Sequence, residues 1–215
     1  MLDIGAGTGL LAMMAAKAGA PRVLAVEMAV ELARLARGNV SKHALDERVR
    51  VLHCHSSSLR PQPAAADAPA DAWQGKAALL VFETLGSDPL CEGLLPTLRD
   101  ARERLLTFDA VVIPAHLEVY VALVESRELA NLNGIGESVE GMDLSALNRL
   151  SHRSRAIRLH DYPHRVLSKP RIALRLRLDS ADELPPLSGE TQLEVPVLQA
   201  GTAHVVVAWS VAPPS

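Results

Sequence analysis

The sequence predicts an α/β fold in which a mostly parallel sheet, built by residues 1–113, is followed by a second, antiparallel β domain over residues 114–215. Two observations predict this organisation. Short apolar runs alternate with helix-forming segments in the first half, which is the pattern of strands joined by crossover helices. Beyond residue 110, alternating polar and apolar segments recur without long helices between them, which is typical of antiparallel strands.

The first predicted strand ends in a glycine-rich turn, Leu-Asp-Ile-Gly-Ala-Gly-Thr-Gly at residues 2–9. Gly5 and Gly7 allow a tight strand-to-helix turn and close approach of a ligand. The third glycine, Gly9, comes one residue too early for the Gly-x-Gly-x-x-Gly pattern of dinucleotide sites. Asp3 offers negative charge where such a site would offer helix amides to pyrophosphate. The turn therefore predicts a Rossmann-like pocket for S-adenosyl-L-methionine, which carries a sulfonium and an amine.

Glu27 closes the second predicted strand, at residues 23–26. A carboxylate at the carboxyl end of such a strand points into the crevice where these sheets bind ligands. We expect Glu27 to accept hydrogen bonds from both ribose hydroxyls of the cofactor. The alternative is a solvated acid at the end of a strand.

The remaining elements follow from local composition. Leu10 to Ala18 consists of strong helix formers, and Gly19 is placed to end that helix before Pro21. Residues 61–72, rich in Ala, Pro and Asp, predict a surface loop. Further helices are expected at 29–39 and 94–106, further strands of the first sheet at 49–54 and 78–82, and antiparallel strands at 171–178 and 203–209.

Composition excludes several classes of function. The chain has 215 residues, 48% of them hydrophobic and 22% charged, as in ordinary soluble proteins. A net charge of −3 and only 3% aromatic residues argue against nucleic-acid binding, but they suit a basic, arginine-rich partner. Cys54 and Cys91 lack the spacing of a disulfide framework or a zinc site, so a reducing intracellular compartment is expected. No segment has the length of a membrane span.

Two glutamates, Glu83 and Glu92, bracket the loop after the strand at 78–82. Converging carboxylates repel each other, so such a pair is stable when a cation neutralises it. Guanidinium suits the pair because its planar fork of donors can be gripped in bidentate fashion. The alternatives are a metal site formed by both glutamates with Asp88, or solvated loop acids.

These motifs together resemble the protein arginine methyltransferases. Residues 2–27 are similar to the family's first two cofactor motifs, and Glu83 and Glu92 have the spacing of its double-Glu loop. The resemblance implies that both glutamates clamp the substrate guanidinium, and that Asp3, Gly5, Gly7, Glu27 and Ser57 contact the cofactor, with Ser57 near the adenine. Residues 113–115 and 119–126 resemble the family's entry into a β-barrel. Residues 140–145 resemble the stretch before its dimerisation arm, which implies a short arm near 140–160 and a homodimer, or pairing with a second methyltransferase module.

Departures from the family pattern carry further expectations. Leu94 stands at a position where family members that make asymmetric dimethylarginine have methionine. The loop that contains the two glutamates is more similar to two other branches of the family, the symmetric-dimethylating branch and the two-module branch that includes monomethylating enzymes. The resemblance therefore favours a monomethyl or symmetric product. Ser57 stands at a position where many family members have a glutamate that accepts a hydrogen bond from the adenine. His55 and His204 have no counterpart in the pattern and are expected at the surface or the edge of the core, and Trp209 within the barrel core. Both ends resemble cuts, because the family's lid helix and Thr-His-Trp loop find no match.

The sequence is compatible with three functions. The leading expectation is methylation of protein arginine, in Arg-Gly-rich or histone-like segments, in the cytoplasm or nucleus. The second is a non-catalytic methyltransferase-like module used in assembly. The third is a methyltransferase with a small-molecule acceptor, which the glycine motif alone does not distinguish.

Overall fold

The structure is a computed structural model that describes residues 1–61, 75–86, 88, 90–132, 134, 138–150, 154–180 and 184–213. The chain divides into two units. The first comprises Met1–Leu117, Leu176–Gly189 and Ala212–Ser215, and the second Glu118–Arg175 and Glu190–Val211. The sequence predicts a single boundary between residues 113 and 114. In the structure, the segment Leu176–Gly189 belongs to the first unit although it lies beyond that boundary.

A five-stranded parallel sheet forms the centre of the first unit. Its strands are β1 (Leu2–Ile4), β2 (Val23–Glu27), β3 (Val49–His53), β4 (Ala77–Phe82) and β5 (Leu106–Ile113). The order β3-β2-β1-β4-β5 places the shortest strand in the middle, and Asp3 on that strand pairs in register with Ala25 and Val81. All neighbouring strands are parallel, so their carboxyl ends meet at one edge of the sheet. The predicted Rossmann-like sheet is confirmed.

Three helices cover this sheet: α1 (Leu10–Lys17), α2 (Val30–Lys42) and α3 (Leu94–Arg104). The first two bury alanine-rich faces, because small side chains let a helix approach the strands closely. The third buries leucines instead. Fully or nearly enclosed residues on these faces are Ala12, Ala16, Ala33, Ala36, Val40, Leu94 and Leu98. The predicted helices are confirmed, with α2 running three residues beyond its expected end.

Arginines on α3 explain why residues 176–189 belong to the first unit. Arg102 donates from Nη2 to the carbonyl of Leu178 over 3.2 Å, and Arg99 donates to the carbonyl of Leu184 over 3.2 Å. The backbone N–H of Leu178 also donates to the carbonyl of Ala115 over 2.8 Å. A returning segment is thereby fixed to a helix that ends more than seventy residues earlier.

The second unit is built around an antiparallel sheet. Its strands are β6 (His116–Glu125), β7 (Arg165–Val166), β8 (Arg171–Arg177) and β9 (Val205–Val211), and β6 pairs with β7 and β9 in antiparallel fashion and adjoins β8. The predicted strands at 171–178 and 203–209 are therefore confirmed with small shifts. Tyr120 stacks on Trp209 with ring centroids 5.7 Å apart. Trp209 is 38% exposed, so the expectation of a core position for it is wrong.

The described residues of the segment predicted to resemble a dimerisation arm, 140–150 and 154–160, form turns, irregular backbone and short 3-10 helices. One 3-10 helix spans Ser145–Leu150 and another Leu159–Asp161, and a short helix, α4 (Arg127–Asn131), precedes the segment. Met142 and Leu150 are 60% and 80% exposed. Residues 62–72 of the predicted surface loop lie outside the described residues. Among those that are described, no helix is long and apolar enough to cross a membrane.

Candidate active site

The glycine turn after β1 adopts the left-handed backbone that its sequence predicts. Gly5, Gly7 and Gly9 have φ values of +74°, +53° and +81°. A Cβ on Gly5 would lie 2.6 Å from Cγ2 of Thr84, the second residue after β4. The turn therefore packs directly against the end of β4, and α1 begins immediately after it.

Glu27 joins this turn to the end of β2. Its Oε2 accepts a hydrogen bond from the backbone N–H of Gly7 over 2.8 Å, and its Oε1 accepts from the N–H of Ala29 over 2.7 Å. The residue is only 6% exposed. Each carboxylate oxygen keeps a further lone pair, which is the capacity that a pair of ribose hydroxyls requires.

Asp3 lies beneath the turn, completely enclosed. Within the described part of the chain, neither of its carboxylate oxygens makes a hydrogen bond of ordinary geometry. Burial is the main cause that raises the pKa of Asp3, to about 6; the backbone N–H of Ala12 opposes the rise, and the negative charge of Glu27 adds a smaller increase. A buried carboxylate without a partner is costly, and a cation bound above the turn would offset that cost through its charge.

The loop after β3 lies beside Glu27, because the N–H of Cys54 donates to the carbonyl of Glu27 over 3.1 Å. Ser57, expected near the adenine, sits in a 3-10 turn (Ser56–Ser58) and is exposed. His55 is exposed, as predicted, but its Nδ1 lies 2.8 Å from Oγ of Ser57. Sequence reasoning missed this pair. Its only signal is the placement of an imidazole two residues before a serine in a polar turn.

The two acids of the predicted guanidinium clamp lie on one loop at the carboxyl edge of the sheet. Glu83 directly follows β4, and Glu92 precedes Gly93 and α3. A Cβ on Gly86 would lie 3.0 Å from Oε1 of Glu92, so the second acid folds back over the middle of the loop. Both glutamates are exposed, and neither forms a hydrogen bond or an ion pair with another described residue. Ser87 and Pro89 lie outside the described residues, and the meeting of the two acids at one point stays a prediction.

The metal alternative finds no support in the described residues. No group of three or more His, Cys, Asp or Glu side chains among them is arranged to hold a metal ion. Asp88 uses its Oδ1 to accept the N–H of Leu90 over 3.0 Å, which is the hydrogen bond of a local turn.

Leu94, the position that differs from methionine-bearing members of the family, is a core residue. It is 1% exposed and lines a small internal cavity together with Ile4 and Phe82. Thr84, whose buried hydroxyl has no partner among the described residues, lines the same cavity. The first residue of α3 therefore acts through packing beneath the glutamate loop.

Comparison with known sequences finds similarity to methyltransferases. Residues 1–70 match the family described as ribosomal protein L11 methyltransferase (PrmA). The chain is 34% identical over 210 residues to an arginine N(omega)-methyltransferase from Streptomyces achromogenes subsp. streptozoticus, covering 97% of this chain and 55% of that protein. It is 31% identical over 231 residues to protein arginine N-methyltransferase 7 from Oryza sativa subsp. japonica, covering 97% of this chain and 30% of that protein. The chain thus spans about half the length, or less, of these relatives.

Solved structures show the same fold. The Trypanosoma brucei PRMT1 enzyme-prozyme heterotetrameric complex with AdoHcy aligns with a TM-score of 0.68 and 23% identity, covering 83% of this chain and 52% of that one. Arabidopsis thaliana protein arginine methyltransferase 10 aligns with a TM-score of 0.57 and 21% identity, covering 83% and 54%. At these identities the likeness concerns the fold, which combines a parallel sheet with an antiparallel one.

Proposed function

Because this chain is a relative of the protein arginine methyltransferases along 97% of its length, we propose that it transfers a methyl group from S-adenosyl-L-methionine to an arginine guanidinium. The observation that carries the proposal is the pairing of Glu27 with the glycine turn at the carboxyl edge of the sheet. This geometry supplies carboxylate acceptors beside a backbone that a ligand can approach closely.

Five residues are proposed to hold the cofactor. Glu27 would accept from the ribose hydroxyls, Gly5 and Gly7 would line the approach, Ser57 would face the adenine, and Asp3 would supply negative potential beneath the turn. When bound, the cofactor supplies an electrophilic methyl group on a sulfonium. The chain contributes orientation and charge to that chemistry.

Glu83 and Glu92 are proposed to grip the guanidinium. Paired carboxylates can hold two of its edges in bidentate fashion and leave one terminal nitrogen directed toward the methyl group. Methyl transfer to that nitrogen would form a nitrogen–carbon bond and break the carbon–sulfur bond of the sulfonium, with S-adenosyl-L-homocysteine as the leaving group. The exposed carboxylates of Glu83 and Glu92 would pass the released guanidinium proton to solvent. The pKa of a guanidinium lies far above neutral pH, so its proton leaves late, and the carboxylates stabilise the positive charge until then.

Two acceptors are proposed for this site. Arginine in Arg-Gly-rich or histone-like protein segments is the first, supported by the named protein arginine methyltransferases among the relatives and by the net charge of −3. Free arginine is the second, because the name of the Streptomyces relative specifies arginine rather than protein arginine. A non-catalytic module is the alternative that an absence of turnover would favour.

Three narrower proposals accompany the reaction. A monomethyl or symmetric product is supported by Leu94 at the start of α3. A homodimer, or pairing with a second methyltransferase module, is supported by exposed apolar side chains near 140–160, including Met142 and Leu150. A cytoplasmic or nuclear site of action is supported by two free cysteines.

The deciding experiment measures methyl incorporation by the full-length protein with free L-arginine, a Gly-Arg-Gly peptide and a histone tail peptide as acceptors. Glu83→Gln and Glu92→Gln should each lower the rate by about 100-fold or more, while the Kd for the cofactor changes less than about threefold. Glu103→Gln, an exposed acid on α3, is the matched control. Rates that survive both substitutions would refute the clamp. Mass spectrometry of the products distinguishes monomethyl from symmetric dimethylarginine.

A further inference from the structure

The side chain of Thr84 connects the loop of the two glutamates to the glycine turn. Thr84 directly follows Glu83, and its Cγ2 would lie 2.6 Å from a Cβ built on Gly5. Among the described residues, apart from the chain neighbours of Gly5, no other atom lies within 4 Å of that point. The methyl group of Thr84 therefore occupies the space that a side chain on residue 5 would need, and a glycine there lets the two segments meet.

The same side chain also packs toward the start of α3. Thr84 lines the small internal cavity together with Ile4, the last residue of β1, and Leu94, the first residue of α3. Leu94 is 1% exposed, and only Gly93 separates it from Glu92. Because protein interiors are close-packed, a change of volume at Thr84 is felt by the residues around it. One threonine thus adjoins the glycine turn, the first glutamate and the helix that begins behind the second.

The methyl group of Thr84, and not its hydroxyl, makes the contact with the turn. The hydroxyl oxygen is buried and has no hydrogen-bond partner among the described residues. A buried hydroxyl without a partner lowers stability and offers nothing to a ligand in an open crevice. The branched Cβ restricts the side chain to few rotamers, so the methyl group has a defined position. Thr84 therefore contributes shape to this part of the molecule.

Glu83 depends on its backbone for its position. Its side chain is exposed and forms no hydrogen bond or ion pair with another described residue. On one side of it, Phe82 pairs in register with Ile4 within the sheet. On the other side, Thr84 is held against Gly5. These two anchors fix the origin of the glutamate side chain relative to the turn that is proposed to hold the methyl donor.

We propose that Thr84 is a positioning residue, whose methyl group sets the separation between the glycine turn and Glu83 and so aligns the guanidinium with the methyl donor. The inference rests on the proposed function, because it requires a methyl donor at the turn and a guanidinium at Glu83. It assigns the alignment to a side chain that neither binds the cofactor nor grips the substrate. A misplacement of about 1 Å between reacting groups can lower a rate about 100-fold, so the loss of one methyl group beneath Glu83 is large enough to measure.

The test measures kcat/KM of the full-length protein with whichever of free L-arginine, a Gly-Arg-Gly peptide and a histone tail peptide it methylates. Thr84→Ser removes the methyl group and should lower kcat/KM about 10-fold or more. Thr84→Val keeps the branched shape and should stay within about threefold of the wild-type value. The Kd for S-adenosyl-L-homocysteine should change less than about threefold in both variants, because Glu27 holds the turn independently through Gly7.

Thr97→Ser is the matched control, since it removes a methyl group from a second half-buried threonine that lines the same cavity. It should keep the wild-type kcat/KM even where chemical denaturation shows a loss of stability similar to that of Thr84→Ser. A double-mutant cycle with Glu83→Gln adds a second reading. If Thr84 acts through Glu83, adding Thr84→Ser to Glu83→Gln should lower the rate by less than about threefold more.

Each other outcome overturns the inference. Equal activity of Thr84→Ser and Thr97→Ser would do so while the proposed function stands, and so would a full 10-fold further loss in the double variant. Should Thr84→Ser fail to fold, Thr84→Val still decides the matter, because a 10-fold loss of kcat/KM in that variant would assign the role to the hydroxyl. If the wild-type protein methylates none of the three acceptors, the proposed function fails and the inference fails with it.

Discussion

The backbone N–H of Gly7 donates to Oε2 of Glu27 over 2.8 Å, so the turn after the first strand and the acid after the second form a single structure. Glu27 also accepts, through Oε1, the backbone N–H of Ala29, two residues beyond the end of its strand. The acid is therefore part of the scaffold as well as a candidate ligand for ribose.

Glu27→Gln should weaken both roles. A glutamine offers one acceptor oxygen where the backbone presents two donors, so one N–H would face an amide NH2 group. We expect the free energy of unfolding to fall by about 1–3 kcal/mol and the Kd for S-adenosyl-L-homocysteine to rise about 10-fold or more. Denaturant titration and calorimetry measure these changes. Glu31→Gln, an exposed acid on α2, is the control, and equal behaviour of the two variants would contradict the assignment.

Asp3 should make the cofactor-free protein less stable as the pH rises. Its pKa is about 6 when folded against an ordinary value of 3.8, so between these values the folded state binds more protons than the unfolded state. The free energy of unfolding should therefore fall from pH 4 to pH 6, by at most roughly 3 kcal/mol. Asp3→Asn should remove this slope in denaturant titrations at several pH values. An identical slope in both proteins would show that another group is responsible.

Gly5→Ala should destabilise the protein more than Gly7→Ala. Both positions have positive φ, which costs an alanine about 1 kcal/mol, but only the Cβ on Gly5 meets a neighbour, Cγ2 of Thr84 at 2.6 Å. We expect a loss of about 2–4 kcal/mol for Gly5→Ala in thermal or chemical unfolding. Adding Thr84→Ser removes that methyl group and should bring the loss close to that of Gly7→Ala. A double variant no better than the single one would argue against the contact.

Ser126→Ala should lower the stability of the second unit. The Ser126 hydroxyl accepts the N–H of Leu129 at the start of α4 and donates to the carbonyl of Pro163 over 2.7 Å, with the residue only 4% exposed. Loss of both bonds should cost about 1–3 kcal/mol, measured by chemical denaturation. Ser154→Ala, at an exposed position, should have no measurable effect, and equal losses for the two would contradict the capping role.

The sequence predicts this fold well where local pattern decides the structure. The glycine turn needs left-handed backbone at Gly5, Gly7 and Gly9, and the alternation of apolar runs and helix formers leads to a parallel sheet. The position of Glu27 can be predicted in the same way, because it is the last residue of the strand beside the turn. Each of these features follows from a pattern that is visible within a short stretch of sequence.

Features that depend on residues far apart in the sequence cannot be predicted from local sequence patterns. The burial of Asp3 depends on the residues that pack around β1. The role of Arg104 depends on its hydrogen bond to the carbonyl of Leu59, which lies 45 residues earlier in the chain. The predicted meeting of Glu83 and Glu92 concerns two exposed side chains, whose position a bound substrate would decide.

The contact between Arg102 and the carbonyl of Leu178 spans 76 residues of chain. During synthesis on the ribosome, the helix that bears the arginine emerges well before its partner, so the first unit becomes complete only after residues 118–175 have been translated. Joining the two ends requires closing a long loop, which costs entropy. Residues 118–175 lie within that loop, and strand β9, which pairs with their strand β6, is translated later still, so neither unit can be completed until residues 176–211 have also been made.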